Sequence, residues 1–122
     1  MKIEKLKTWS PELDQHLAQA AGADRLDIAR AVDAGALEAY RLWDGEAYLV
    51  TRFEPGPNRL TVCCYEGGRV KEFAAWFLDQ CRKRGIATIR YHACSEALAR
   101  LLEPLPFRIK EYVYELDVAG AG

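Results

Sequence analysis

"CCYEGGRVKEF", residues 63–73, joins an apolar run to an amphipathic run through two glycines. The apolar run starts upstream as "RLTVCCY" (59–65), and a nearly unbroken apolar run predicts a strand covered on both faces. Beyond the glycines, apolar side chains recur at helical spacing, at Val70, Phe73, Phe77 and Cys81. The stretch therefore predicts a strand that turns directly into a helix. Many proteins hold a phosphate in such a turn and many others only change direction there, so both interpretations stay open.

Strand and helix patterns alternate along the rest of the chain. Alternating or apolar runs predict strands at 2–9, 37–43, 46–54, 59–65, 86–93 and 107–118. Capping residues and helical periodicity predict helices after Ser10-Pro11, after Asp24, after Gly67-Gly68 and after Ser95. Asp44-Gly45 is a two-residue hairpin signal, and Gly85 ends the third helix.

This order predicts an α/β fold with a mixed (α+β) sheet, in the sequence β-α-α-β-β-β-α-β-α-β. The strands over 37–65 form an antiparallel meander, and the helix after Gly68 makes a right-handed crossover to a parallel strand at 86–93. Residues 1–118 are expected to form a single domain, followed by a disordered tail at 119–122.

Composition excludes several function classes. With 17 basic and 18 acidic residues the net charge is −1, so the chain offers no strong field for nucleic acid. No apolar run is long enough for a membrane span. The N-terminus has charges where a signal peptide has its apolar core, so we expect a cytoplasmic protein. The four cysteines lack metal-ligand spacing and are expected to be reduced thiols, with no metal site.

The order of elements, with "RLTVCCY" leading into "EGGRVKE", resembles the Gcn5-related N-acetyltransferase (GNAT) superfamily over nearly the whole chain, without that family's usual final hairpin strand. The resemblance implies that the strand backbone binds the pantetheine arm of acetyl-CoA and that the helix N-terminus holds its pyrophosphate. The cofactor-binding residues it implies are Val62, Cys63, Cys64, Gly67, Gly68, Arg69, Val70 and Lys71.

The chain departs from the family's motifs at several positions, including Pro106 where the later helix motif has Gly. In the Q/R-x-x-G-x-G/A loop, with Gly68 as the first glycine, Tyr65 stands at the Gln/Arg position and Val70 at the second Gly/Ala position. In the later helix, Leu102 stands where many members carry the tyrosine that protonates the leaving thiolate. Tyr91, Tyr112 and Tyr114 are the alternative donors.

Two residues are candidates for the base that takes a proton from the acceptor amine. Glu66 follows the central strand, and His92 lies near the end of the strand predicted to run parallel to it, where ligands of such sheets bind. A histidine suits acid–base work near neutral pH. Each residue also has a plain structural interpretation, Glu66 as a solvated turn residue and His92 as a half-buried strand residue.

Two functions follow from the resemblance. The first is an acyl-CoA N-acyltransferase that moves an acetyl group to a small-molecule amine or a protein acceptor. The alternative is a catalytically inactive GNAT-fold protein with a structural or interaction role, because residues 59–118 are similar to small GNAT-like proteins of tailed phages, in host cytoplasm or virion. Tyr112 and Tyr114 share one face of the last strand and could support a homodimer or a virion contact.

Overall fold

The computed structural model describes residues 1–92, 108–110 and 113–120, with the side chains of 1–91 and 117–120. Seven strands and three helices lie in these ranges: β1 (Ile3–Leu6), α1 (Pro11–Ala21), α2 (Arg25–Asp33), β2 (Glu38–Leu42), β3 (Ala47–Glu54), β4 (Arg59–Gly67), α3 (Val70–Lys83), β5 (Thr88–His92), β6 (Arg108–Lys110) and β7 (Val113–Asp117). Short 3₁₀ turns occupy Gly22–Asp24, Trp43–Gly45 and Val118–Gly120. The helix predicted after Ser95 falls outside the described residues.

The strands are hydrogen-bonded in the order β1-β2-β3-β4-β5-β7-β6. β1 pairs antiparallel with β2, Ile3 opposite Leu42, and β2 pairs antiparallel with β3, Leu42 opposite Ala47. The predicted fold class is confirmed: the sheet is mixed, with an antiparallel meander followed by the β4–α3–β5 crossover.

The prediction of one long last strand over 107–118 is wrong. β6 pairs antiparallel with β7, Arg108 opposite Glu115 and Lys110 opposite Val113, and β7 pairs antiparallel with β5. The chain therefore has the final hairpin that its sequence seemed to lack. Period-2 alternation runs through both strands, and Glu111-Tyr112 between them carries none of the residues that signal a turn, so the pattern concealed the reversal.

The element ends that were predicted from local sequence signals are confirmed only in part. The Ser10 hydroxyl accepts a hydrogen bond from the Leu13 N–H (3.3 Å), and Pro11 begins α1, as predicted. Asp24 precedes α2 but makes no side-chain capping bond. The two-residue turn predicted at Asp44-Gly45 is wrong, because Leu42 pairs with Ala47 and leaves a loop of residues 43–46.

By their contacts the described residues form two compact units, Met1–Arg52 with Val62–Gly68, and Phe53–Thr61 with Arg69–Gly122. β4 contributes to both units. The core of the first unit joins α1 and α2 to the strands through Leu13, Leu17, Ala21, Val32, Ala39, Tyr48, Val50 and Cys64. The buried apolar residues of the second unit come from α3, β5 and the final turn, and include Phe73, Ala74, Phe77, Cys81, Ile89, Tyr91 and Val118.

The apolar stripe predicted for α3 is confirmed at Phe73, Phe77 and Cys81, which are all buried. The Phe73 and Phe77 rings stack with centroids 5.1 Å apart. Burial raises the pKa of the Cys81 thiol to about 11. Within the described ranges, none of the helices is both long and apolar enough to cross a bilayer.

Candidate functional site

Gly67 ends β4 in a position that only glycine can occupy. Its φ is +130°, and a Cβ added there would lie 2.3 Å from the Glu46 carbonyl oxygen and 2.6 Å from the Ala47 Cα. Such distances are well inside van der Waals contact, so the chain entering β3 packs directly on the Gly67 backbone. The first glycine of the pair therefore serves close backbone packing.

Gly68 is held differently. Its N–H donates to the Glu46 carbonyl (3.3 Å), and its own carbonyl accepts a hydrogen bond from the Tyr65 hydroxyl (2.6 Å). A Cβ added to Gly68 would meet no atom within 4 Å. The second glycine thus presents an open Cα face, while its peptide groups are bonded to Glu46, just before β3, and to Tyr65 of β4.

The start of α3 lies in the second unit. Arg69, the N-cap residue, has left-handed φ and ψ (58°, 34°) and makes no side-chain capping bond. The first intrahelical bond runs from the Phe73 N–H to the Arg69 carbonyl (2.8 Å), so the N–H groups of the first turn have no partner within the helix. Exposed Lys71 lies in that turn, and Arg69 forms an exposed ion pair with Glu72 (3.6 Å).

The strand residues proposed to contact a cofactor differ in burial. Val62 and Cys64 are buried, whereas Cys63 is half-buried. Since the Val62 and Cys64 side chains belong to the interior, these residues could meet a ligand only through their backbone groups.

The candidate acid and base residues are only partly within the described structure. Glu66 lies near the end of β4 with an exposed side chain. His92 is the last residue of β5, but its side chain lies outside the described residues, as do Leu102, Tyr112 and the side chain of Tyr114. Tyr91 is buried, with its ring edge-to-face against Phe77 (centroids 6.4 Å apart).

A network of charged side chains, which the sequence did not indicate, connects α1 to the strands of the first unit. The Arg41 guanidinium donates to Glu12 through Nε (2.8 Å) and a second nitrogen, and to Glu4 (2.7 Å). The Tyr48 hydroxyl donates to the same Glu12 carboxylate (2.5 Å), and the His16 ring stacks on Tyr48 with centroids 4.4 Å apart. We call these five residues the Arg41 network.

The Arg41 network strongly lowers the pKa of its Glu12 carboxylate. Hydrogen bonds from Arg41 and then Tyr48 lower the pKa of Glu12 to about 2. The same contact with Glu12 raises the pKa of Arg41, and burial raises that of Tyr48. Glu12 and Arg41 are 29 residues apart in sequence, and no local spacing rule could have paired them.

In the part of the chain described here, the His, Cys, Asp and Glu residues form no group of three or more that could hold a metal ion.

Comparison with known proteins gives a consistent result for the fold. No family model matches the sequence, and no curated protein matches it. Among solved structures, the ribosomal-protein-S18-alanine N-acetyltransferase from Escherichia coli is similar over 99% of this chain and 96% of its own, with a TM-score of 0.67 and 16% identity.

Two further structures contain coenzyme A. A Bacillus subtilis acetyltransferase in complex with CoA matches over 95% of this chain and 97% of its own (TM-score 0.62, 15% identity). The catalytic domain of the Tetrahymena GCN5 histone acetyltransferase in complex with coenzyme A matches over 96% and 92% (TM-score 0.57, 12% identity). The chain therefore has the GNAT acetyltransferase fold.

Proposed function

We propose that this protein is an acyl-CoA-dependent N-acyltransferase, with acetyl-CoA as donor and an amine of a small molecule or protein as acceptor. The observation that carries the proposal is the likeness, along nearly the full length of both chains, to acetyltransferases that include two complexes with coenzyme A. Fold alone does not fix function, so the proposal also depends on the residues at the end of β4 and the start of α3.

The residues at these two places support the proposal. The open Cα face of Gly68 leaves room beside the chain, and the first turn of α3 has N–H groups and a helix dipole that favour an anionic group. Arg69 and Lys71 add positive charge there. The backbone of Val62, Cys63 and Cys64 would hold the pantetheine arm, and Gly67, Gly68, Arg69, Val70 and Lys71 would surround the pyrophosphate.

When bound, acetyl-CoA supplies an activated acyl group, and the chain's own residues supply position and proton transfer. Glu66 is proposed as the base for the acceptor amine, with His92 as the alternative, because both lie at strand ends and both can accept a proton. Leu102 cannot act as an acid. Placing the amine beside the thioester would therefore supply much of the acceleration.

Calorimetric titration of the protein with acetyl-CoA and with CoA tests the proposal. Saturable binding is expected for both, and Gly68→Trp is expected to abolish it, because the indole would occupy the open space beside Gly68. No protein atom lies within 4 Å of a Cβ at this position, so the variant should keep its fold. Absence of heat with wild-type protein at millimolar ligand would refute the proposal.

Gly56→Trp is the matched control. Gly56 lies in the exposed turn before β4, its φ is not positive, and a Cβ there also meets no atom within 4 Å. The nine residues of β4 lie between Gly56 and Gly68 along the chain. Gly56→Trp should bind acetyl-CoA as the wild type does, whereas equal binding by Gly68→Trp would place the ligand elsewhere.

A further inference from the structure

Tyr65 occupies the position at which the GNAT loop motif has Gln or Arg, and its side chain has a structural partner. Only 8% of Tyr65 is exposed, and its hydroxyl donates to the carbonyl of Gly68, three residues later (2.6 Å). A buried phenol pays little conformational entropy to hold that position, because the ring is already fixed by its surroundings. The hydroxyl is therefore placed to fix the peptide that follows Gly68.

The same glycine is also held by the loop that precedes β3. The Gly68 N–H donates to the Glu46 carbonyl (3.3 Å), and Gly67 lies too close to Glu46 and Ala47 to admit a side chain. The loop that carries Glu46 is itself unusual, with left-handed φ at Trp43 and Asp44. It is tied to the N-terminus by the Trp43 N–H to the Lys2 carbonyl (2.9 Å) and by the Lys2–Asp44 ion pair (2.8 Å).

We propose that Tyr65 is a positioning residue for the coenzyme: its hydroxyl holds Gly68 by the carbonyl while the Glu46 carbonyl holds it by the N–H, and the two bonds together fix the open face of Gly68. The inference rests on the proposed function. Without the hydroxyl, a glycine whose Cα face is open to solvent has wide conformational freedom, and the segment would have to be ordered at each binding event. The hydroxyl thus makes the segment rigid before the ligand arrives.

The bond between Gly68 and Glu46 also bears on which groups can reach a phosphate. Because the Gly68 N–H already donates to protein, it is a poor donor to an anion. The Tyr65 hydroxyl likewise points at the chain rather than at a ligand. Tyr65 therefore acts through Gly68, and its loss should weaken binding without removing a direct ligand contact.

The test compares Tyr65→Phe with Tyr40→Phe. Both changes remove one hydroxyl from the first unit, but the Tyr40 hydroxyl donates to Glu38 on an exposed part of the surface. The Kd for CoA, measured by calorimetry, should rise about fivefold to tenfold in Tyr65→Phe, as expected for the loss of one hydrogen bond, and stay unchanged in Tyr40→Phe. Urea unfolding checks that both variants remain folded.

Amide exchange in the absence of ligand gives a readout that a general loss of stability would not produce. The Gly68 N–H should be protected in the wild type and exchange at least about fivefold faster in Tyr65→Phe, while amides in the middle of β3 and β4 keep their rates. An unprotected Gly68 N–H in the wild-type protein overturns the inference without any variant.

The outcomes separate the two proposals. If wild-type protein binds CoA and Tyr65→Phe binds equally well, the positioning role is overturned and the proposed function stands. If the wild type does not bind CoA, the proposed function fails, and the role of Tyr65 for a coenzyme fails with it. Weaker binding by Tyr65→Phe together with faster Gly68 exchange supports the inference.

Discussion

Two regions of the first unit are held in place by different kinds of interaction. The Arg41 network joins α1 to the strands through charged side chains, with Glu12 accepting from both Arg41 and Tyr48. The end of β4 is held mainly at backbone groups, since Gly67 packs on the Glu46 carbonyl, the Gly68 N–H bonds to it, and the uncharged Tyr65 hydroxyl bonds the Gly68 carbonyl. At this second region the charged side chain of Glu66 is exposed.

The difference separates structural charges from charges available to a ligand. A strongly shifted pKa often marks a functional site, and by that criterion Glu12 would be the first candidate. Its shift is explained by its hydrogen bonds to Arg41 and Tyr48, which use the carboxylate to connect α1 with β2 and β3. Because the end of β4 is held mainly at its backbone groups, the exposed side chain of Glu66 is not needed to hold the strand in place.

Replacing Gly67 should have the largest effect on stability, because it disrupts the end of β4, the region that is held mainly at its backbone groups. We expect Gly67→Ala to lower the free energy of unfolding by about 3 kcal/mol or more, because the methyl group would overlap Glu46 and Ala47 and the backbone has φ of +130°. Urea unfolding followed by circular dichroism measures the change.

Gly68→Ala is the matched control for that substitution. It adds the same methyl group one residue later, where no atom lies within 4 Å and φ is not positive. We expect a change within about 0.5 kcal/mol. Equal costs at the two glycines would show that close packing on Gly67 does not hold the strand end.

Much of the fold could be predicted because its signals are local. The Ser10-Pro11 cap, the apolar run of β4 and the helical stripe of α3 each lie within one element, and each was confirmed. The two errors in the sheet came from reversals with misleading turn chemistry. Asp44-Gly45 suggested a two-residue hairpin where the loop has four residues, and Glu111-Tyr112 gave no turn signal between β6 and β7.

At the candidate site, the position of the turn was predictable but its detail was not. The sequence placed a glycine turn between β4 and α3, and the structure has that turn. The sequence could not reveal that Gly67 serves packing while Gly68 leaves open space. This difference depends on the Glu46 carbonyl, which lies 21 residues before Gly67 in the chain. The Arg41 network was missed for the same reason, since its members meet only after the sheet and α1 have formed.

Glu12→Gln tests the charged region and should have an intermediate effect. The pKa of Glu12 is about 2 in the folded protein and 4.5 ordinarily, so its charge stabilises the fold above about pH 4.5, and this contribution is lost as the pH falls through about 2. The side chain is 35% exposed, so solvent screening reduces the effect, and we expect a loss of about 1 kcal/mol at pH 7.

Urea unfolding of wild type and Glu12→Gln across the range from pH 7 to pH 2 measures this contribution. The two proteins should differ most at neutral pH and converge as the pH approaches 2, where Glu12 is already protonated in the unfolded wild type and is becoming protonated in the folded one. A constant difference at every pH would mean that the glutamine disturbs packing and that the charge contributes little.

Glu66→Gln makes the same chemical change in the backbone-held region and should have the smallest effect. Because the Glu66 side chain is exposed, we expect the free energy of unfolding to change by no more than about 0.5 kcal/mol. A loss of 1 kcal/mol or more would assign Glu66 a structural role like that of Glu12 and would remove it as the proposed base. If the variant is folded, equally stable and still binds acetyl-CoA, its rate of acyl transfer tests the role of Glu66 directly. A lower rate than that of the wild type would then be due to loss of the base.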